Sequence, residues 1–304
     1  MDKRIKFRHL DAFSAIAREL SLKRAAAQLN LTQPAISRTL KELEEIVGAS
    51  LMDRSRAGVR LTPQGEVFLQ FAEQSTAALR QGLRSVRADR AAAGRLRIGA
   101  LPSVASGLLV RAVQRFLEQT PDTILHIEEG SHAALTGRLR SGALDLVVGR
   151  LGRPDTMDGL IFRQLHAEEV VVVCRRDSPA AGVVRFEDLN DFRVLYPPKS
   201  SAIRPLIARM LIARDVPLFD RRIETASSSF GRATVLGDPG VVWFISRGVI
   251  ADDLVTGRMA ALDLDMGATL GAVGLMQRAE EIPSTLARAF ARCVGEIDSS
   301  PANL

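Results

Sequence analysis

Ser21-Leu22-Lys23-Arg24-Ala25-Ala26-Ala27-Gln28-Leu29-Asn30-Leu31-Thr32-Gln33-Pro34-Ala35-Ile36-Ser37-Arg38 reads as two helices meeting at a tight turn. Ser21 can cap the first, and the small side chains of Ala25 and Ala26 let a second helix come close. Asn30-Leu31 breaks the pattern. Thr32 is a good N-cap for the second helix, and Pro34 suits its first turn, where a missing N–H costs little. Apolar residues then recur at Ile36, Leu40, Leu43 and Val47, up to a natural stop at Gly48. Upstream, Phe7, Leu10, Phe13, Ile16, Ala17 and Leu20 form the apolar side of an earlier helix. Two short helices about a tight turn make a helix-turn-helix. A generic helical bundle is the competing reading of the spacing alone.

The start of the second helix carries short polar and long basic side chains. Gln33, Pro34, Ser37 and Arg38 are placed to meet base edges in a major groove. Thr32, Lys41, Arg54, Arg56 and Arg60 are placed to meet phosphates, which position the protein without specifying sequence. The last three lie on Leu51–Leu61, two short strands about Ser55-Arg56-Ala57-Gly58 that read as a wing. Thr62-Pro63 opens a long helix whose apolar stripe runs through Val67, Phe68, Phe71, Leu79, Leu83 and Val86. Such a stripe wants a partner, and a dimerisation helix is the natural reading.

Charge supports this division. Residues 1–90 hold 16 of the 41 basic and 10 of the 35 acidic residues, so the whole excess of +6 lies in the first third of the 304. A basic module attached to a neutral body suggests a polyanion partner. With 46% hydrophobic and 25% charged residues, a packed core is attainable. No apolar run approaches the ~18 residues that span a bilayer, and the N-terminus carries no signal-like stretch, so a cytoplasmic location is expected. Cys174 and Cys293 show no metal-ligand spacing and read as buried free thiols.

In residues 21–65 the sequence resembles the LysR-type transcriptional regulators. The matching run is Ser21 to Leu29, then Thr32-Gln33-Pro34-Ala35-Ile36-Ser37, Leu43-Glu44, Gly48, Leu51, Arg54 and Leu61-Thr62-Pro63-Gln64-Gly65. Leu20 departs from the family's usual Gly, and Met52 from its usual Phe. The resemblance implies a homodimer or homotetramer on an interrupted inverted repeat. The partners it implies are double-stranded DNA, a small-molecule effector and further copies of the chain, with RNA polymerase as an additional candidate.

The fold expected is an all-α winged helix-turn-helix followed by an α/β domain of two lobes, like a periplasmic binding protein. The domains are 1–62, DNA-binding; 63–92, dimerisation helix and hinge; and 93–304, effector-binding. After the hinge at Ala91–Gly94, strands and helices alternate. Strands are expected at Leu96–Gly99, Ile124–Glu128, Asp145–Val148 and Glu169–Cys174, with helices at Gly107–Gln119 and Ala133–Arg140. A second set has strands at Val194–Tyr196, Arg222–Thr225 and Val241–Ile245, and helices at Ile203–Arg214 and Phe230–Leu236. A strand at Ala272–Met276 and a helix at Ser284–Val294 close the chain. Repeated βα units predict parallel sheets covered by helices. The resemblance places lobe I at 95–163 plus 269–300 and lobe II at 164–268, with the ligand site between them.

Pro102-Ser103, Gly130-Ser131 and Lys199-Ser200-Ser201 each follow a strand and precede a helix, so they present hydroxyl and N–H donors at a positive helix end. Arg150 could hold a carboxylate bidentately, and Phe230 could add an apolar wall. In relatives that bind small acids, the residues matching Ser103, Ser131 and Arg150 touch the effector. The effector-binding set is therefore Ser103, Ser131, Arg150, Ser200, Ser201 and Phe230. Each has a plainer alternative: helix caps for Ser103, Ser131 and Ser201, a structural ion pair for Arg150, the core for Phe230.

A narrower resemblance is to regulators of protocatechuate catabolism (the PcaQ type). It rests on Arg4–Leu10, Gly65–Leu69, Arg97–Pro102, Asp145–Leu151 and Ser229–Ala233. It implies an activator of an aromatic-acid catabolic operon in the β-ketoadipate pathway, responding to a small carboxylate. Sugar-responsive galactose-binding-protein regulators look much the same in these segments and supply the alternative. An α/β enzyme is the distant alternative: the sequence has no GxSxG, GxGxxG, P-loop or HExxH. Its four histidines, His9, His126, His132 and His166, show no metal or triad spacing. No catalytic residue, metal or cofactor is therefore assigned. A purely architectural DNA-binding protein would have no use for so long a neutral second domain.

Overall fold

The computed structural model describes residues 4–55, 58–88 and 94–298. The chain divides into two compact units, the first over residues 1–90 with 140–143 and the second over the remainder.

The first unit opens with α1 (Phe7–Glu19), α2 (Leu22–Gln28) and α3 (Gln33–Val47). Their caps are local. Ser21 Oγ accepts from Arg24 N–H at 3.4 Å, and Thr32 Oγ1 from Ala35 N–H at 3.4 Å. Gly48 ends α3 at φ +75°, the left-handed conformation that glycine adopts without strain. Phe13, Ile16, Ala25, Ile36, Leu40 and Leu43 are fully buried between the three helices. The turn from α2 to α3 passes through Asn30 at φ +53°. The wing is β1 (Met52–Ser55) and β2 (Gly58–Leu61), antiparallel with Met52 opposite Leu61. Glu44 ties it to α3 by accepting the N–H groups of Leu51 at 2.8 Å and Met52 at 3.0 Å. Helix α4 (Pro63–Ala88) packs Phe68 edge-on against Phe13, with ring centroids 5.4 Å apart. Its far side leaves Val67, Phe71, Leu79 and Leu83 exposed.

The second unit holds two five-stranded sheets. In chain order its elements are β3 (Arg95–Ala100), α5 (Pro102–Ala105), α6 (Leu108–Gln119), β4 (Ile124–Glu129), α7 (His132–Arg140), β5 (Leu146–Arg150) and β6 (Leu160–Glu168). The chain then crosses into β7 (Val170–Arg175), β8 (Arg193–Tyr196), α8 (Arg204–Ala213), β9 (Arg222–Glu224), α9 (Ser228–Gly237), β10 (Val241–Ser246), α10 (Ala251–Val255) and β11 (Met259–Ala261). It returns through β12 (Gly271–Arg278) and α11 (Thr285–Asp298). Lobe I has the strand order β4-β3-β5-β12-β6 and lobe II the order β11-β7-β10-β8-β9. Buried aliphatic residues and aromatic pairs such as Phe116–Phe290 and Phe219–Phe244 fill the space between sheets and helices.

The sheets are mixed, which corrects the expectation of parallel ones. β3, β4 and β5 are parallel, as are β8, β9 and β10. β12 runs antiparallel to β5 and β6, and β7 antiparallel to β10. The crossovers are the reason. β6 leaves lobe I at Glu168, β12 enters it at Gly271, and those two residues stand opposite each other. A strand that enters a sheet where its neighbour leaves must run the other way. The division at 163/164 falls inside β6, all of which belongs to the first sheet.

Candidate functional site

Two regions bring the candidate residues together. The first is the start of α3. Thr32, Gln33, Pro34, Arg38 and Lys41 are exposed there, and Ser37 is half-buried on the same turns. The buried side of the helix is formed by Ile36, Leu40 and Leu43, so the polar side points outward. Arg60 is exposed on β2. Arg54 lies on β1 opposite Val59. Its side chain, and all of Arg56, lie outside the described residues. Lys41 is only loosely engaged, 3.7 Å from Glu45, leaving its ammonium in solvent. An exposed helix start carrying an amide, a hydroxyl and a guanidinium can enter a major groove.

The second region is a cavity of about 260 Å³ between the lobes. Its position follows from topology. β3, β4 and β5 of lobe I end at Ala100, Glu129 and Arg150, and β8, β9 and β10 of lobe II at Tyr196, Glu224 and Ser246. The lining comes from those ends or the turns just after them: Leu101 to Ser103, Glu129 to His132, Arg150, Pro197, Ser200 to Ile203, Thr225, Ala226, and Trp243 to Ser246 with Val249. Open α/β sheets bind ligands at the carboxyl ends of their strands. Here two such sets of ends face one space.

Arg150 lines this cavity and is 2% exposed. Its Nη2 donates to Glu168 Oε2 at 3.3 Å and to Ser246 Oγ at 3.4 Å, and its Nη1 to Gly271 O at 3.5 Å. Among the described residues its Nε–H has no hydrogen-bond partner, and neither has the buried Ser103 Oγ. Burial lowers the pKa of Arg150 and raises that of Glu168. For Glu168 the opposing influences are the charge of Arg150 and a bond from Gly248 N–H at 2.6 Å. The pair is desolvated, and one guanidinium N–H of it is unspent.

Ser103, Ser131, Arg150, Ser200 and Ser201 all line the cavity. Phe230 does not: it is 47% exposed on the first turn of α9, neither ligand wall nor core. Only Ser131 sits at the N-terminus of a helix longer than two turns, where its Oγ accepts Ala134 N–H at 3.4 Å. Ser103 lies inside the four-residue α5, and α8 starts at Arg204, beyond the turn holding Ser200 and Ser201. The picture of three converging helix ends therefore reduces to one. Sequence reasoning also missed Glu168, Thr225, Trp243 and Ser246. Ser246 and Thr225 stand at or just after strand ends, the pattern that did find Arg150. Glu168 also ends a strand, but β6 is one the sequence did not reveal, and Trp243 lies inside β10.

Among the described residues no helix is long and apolar enough to cross a membrane. Residues 7–66 match the family model for the bacterial regulatory helix-turn-helix protein of the lysR family, and residues 89–298 that for the LysR substrate binding domain. The HTH-type transcriptional regulator PcaQ of Agrobacterium fabrum is 41% identical over 304 residues, 98% of this chain and 97% of that one. The uncharacterised HTH-type regulator YdcI of Escherichia coli is 32% identical over 280 residues, 91% of each chain. Full-length OxyR of Pseudomonas aeruginosa has a similar fold, with a TM-score of 0.55 at 22% identity over 95% of this chain and 99% of that one. CbnR in complex with its target DNA gives 0.57 at 21% identity, over 96% of this chain and all of that one. The chain belongs to the LysR family of bacterial transcriptional regulators, DNA-binding proteins with a helix-turn-helix and an effector-binding domain.

Proposed function

We propose that this protein activates an aromatic-acid catabolic operon of the β-ketoadipate pathway, and that the interlobe cavity takes a small carboxylate as effector. The observation that carries this reading is that Arg150, buried with an unpartnered Nε–H, and Ser103, with an unpartnered Oγ, are both in the lining of one cavity. A carboxylate there would accept from both, and charge-assisted bonds of this kind are the strong ones. The likeness to PcaQ over nearly the whole chain supports the pathway. Gln33, Pro34, Ser37 and Arg38 read the operator, and Thr32, Lys41, Arg54, Arg56 and Arg60 hold its phosphates. The exposed apolar stripe of α4 joins two copies, matching the two-fold symmetry of an inverted repeat. An effector that fits the closed cleft better than the open one shifts the lobes toward closure, and with them the spacing of the bound half-sites.

The hydroxyls of Ser103, Ser131, Ser200, Ser201, Thr225 and Ser246 would also suit a sugar, which keeps a sugar-responsive regulator as the second reading. One titration separates the two. Trp243 is the single tryptophan and lines the cavity, so its emission reports occupancy. β-Ketoadipate and protocatechuate, but not galactose, are expected to change it saturably, and Arg150→Met to abolish the change. A response to galactose alone overturns the carboxylate reading. Footprinting with and without the acid tests gating; identical footprints and unchanged transcription overturn it.

A further inference from the structure

One peptide oxygen in the cleft wall is held from both lobes. Val249 lies in the 3₁₀ turn Arg247–Ile250 that follows β10. Its carbonyl accepts Ser106 Oγ–H of lobe I at 3.3 Å and an Nη2–H of Arg232, on α9 of lobe II, at 2.6 Å. The turn is seated closely on lobe I. Gly248 donates its N–H to Glu168, and a Cβ at position 248 would stand 2.6 Å from Glu168 Oε1 and 3.1 Å from Ser103 O. A Cβ at Gly107 would stand 3.2 Å from Gly248 O. Backbone meets backbone where the lobes touch, and glycine permits it.

Arg232 also lies 2.8 Å from Asp253, which is fully buried. Asp253 has a second guanidinium, Arg258, at 2.7 Å. Arg232 is therefore not the only cation beside the buried carboxylate, and its bond to Val249 is a separate contact, made by Nη2 rather than by the Nε that faces Asp253. Helix α9 also packs on a residue of the cleft lining at the preceding position. Gly231 is buried on the Trp243 indole, where a Cβ would stand 2.5 Å from the ring.

We propose that Arg232 is a positioning residue that couples the seat of the 247–250 turn on lobe I to helix α9, so that movement between the lobes is passed to that helix. The proposal rests on the reading of the cleft as an effector site. The coupling itself needs no ligand, so it can fail or stand independently of the carboxylate assignment.

The test uses the ligand-free full chain, with amide hydrogen exchange over residues 228–237 and Trp243 emission as readouts. Ser106→Ala removes one exposed hydroxyl from lobe I. It is expected to speed exchange in α9 by about three- to tenfold, the worth of one hydrogen bond, and to shift Trp243 emission. In an Arg232→Gln background the same substitution is expected to change neither. That non-additivity is what a coupled network shows, whereas independent sites add. Additive effects, or an α9 that ignores Ser106→Ala in the otherwise wild-type chain, overturn the proposal. If Arg232→Gln does not fold, Arg232→Lys takes its place, keeping the charge but not two forked donors, and the Ser106→Ala comparison in the wild-type chain still decides.

Discussion

The guanidinium of Arg150 and the carboxylate of Glu168 lie 3.3 Å apart, with side chains only 2% and 10% exposed. Glu168 ends the strand that leaves lobe I, and Gly271, whose carbonyl Arg150 also reaches, begins the strand that returns. The pair thus stands where both crossovers pass. It is a structural ion pair and a candidate ligand anchor at once, because Arg150 and Ser103 both line the cavity and, among the described residues, Arg150 Nε and Ser103 Oγ have no hydrogen-bond partner.

This pair has a pH signature. Burial holds Glu168 above its ordinary value of 4.5. A carboxyl raised in the folded state binds its proton more tightly there than in the unfolded chain. Its contribution is fully present below pH 4.5 and is lost as pH rises through the folded value. Urea denaturation at several pH values is expected to show wild type losing stability relative to Glu168→Gln over that rise. Parallel curves would show that Glu168 is not held in this way. Arg150→Met, which strands the carboxylate, is expected to cost about 3–5 kcal/mol at neutral pH.

Leu20 closes α1 at φ +49°, a left-handed conformation that costs a residue with a Cβ roughly 1–2 kcal/mol. Its side chain is 51% exposed, so little packing offsets that cost. Leu20→Gly is expected to stabilise the helix-turn-helix unit by about 0.5–1 kcal/mol after the unfolded chain's gain in freedom is deducted. A denaturation midpoint that falls would show that the leucine contacts matter more than the strain.

Gly65 presents the opposite case. A Cβ there would stand 2.0 Å from Leu51 O, and its N–H is held by Thr62 Oγ1 at 2.9 Å. Gly65→Ala must push the start of α4 away from the residue that precedes the wing. A loss of about 1–3 kcal/mol is expected, as for other overpacked sites. Unchanged stability would mean the start of α4 yields freely.

Arg38 and Arg60 are expected to fail differently. Arg38→Ala removes the proposed base contact and should weaken operator DNA by about 1–3 kcal/mol while sparing random duplex. Arg60→Ala removes the proposed phosphate contact and should weaken both alike, lowering the slope of log affinity against log salt by about 0.9. Equal losses on both DNAs for Arg38→Ala would mean the reading surface lies elsewhere. Fluorescence anisotropy at four salt concentrations measures both.

The helix-turn-helix was legible because its signals are local. Ser21 and Thr32 each cap the N–H three residues on, and Gly48 stops α3 by its own φ. Strand β6 was not legible. Its pairing with β12 shifts register at a bulge between Val273 and Gly274, and its burial alternates irregularly. The period of two that marks a strand is therefore lost there. β11 is three residues long, too short for any period.

Sequence alone determined most of the elements, their order and some of the residues at the parallel strand ends, because hydrophobic period, caps and turn chemistry act over a few neighbouring residues. Only the tertiary structure decided that Glu168 faces Arg150, that Trp243 walls the cavity while Phe230 does not, and that Val249 is held from both lobes. Those relationships join residues 18 to 143 positions apart. Such distances close only when two sheets, threaded twice by one chain, bring their strand ends to a common space.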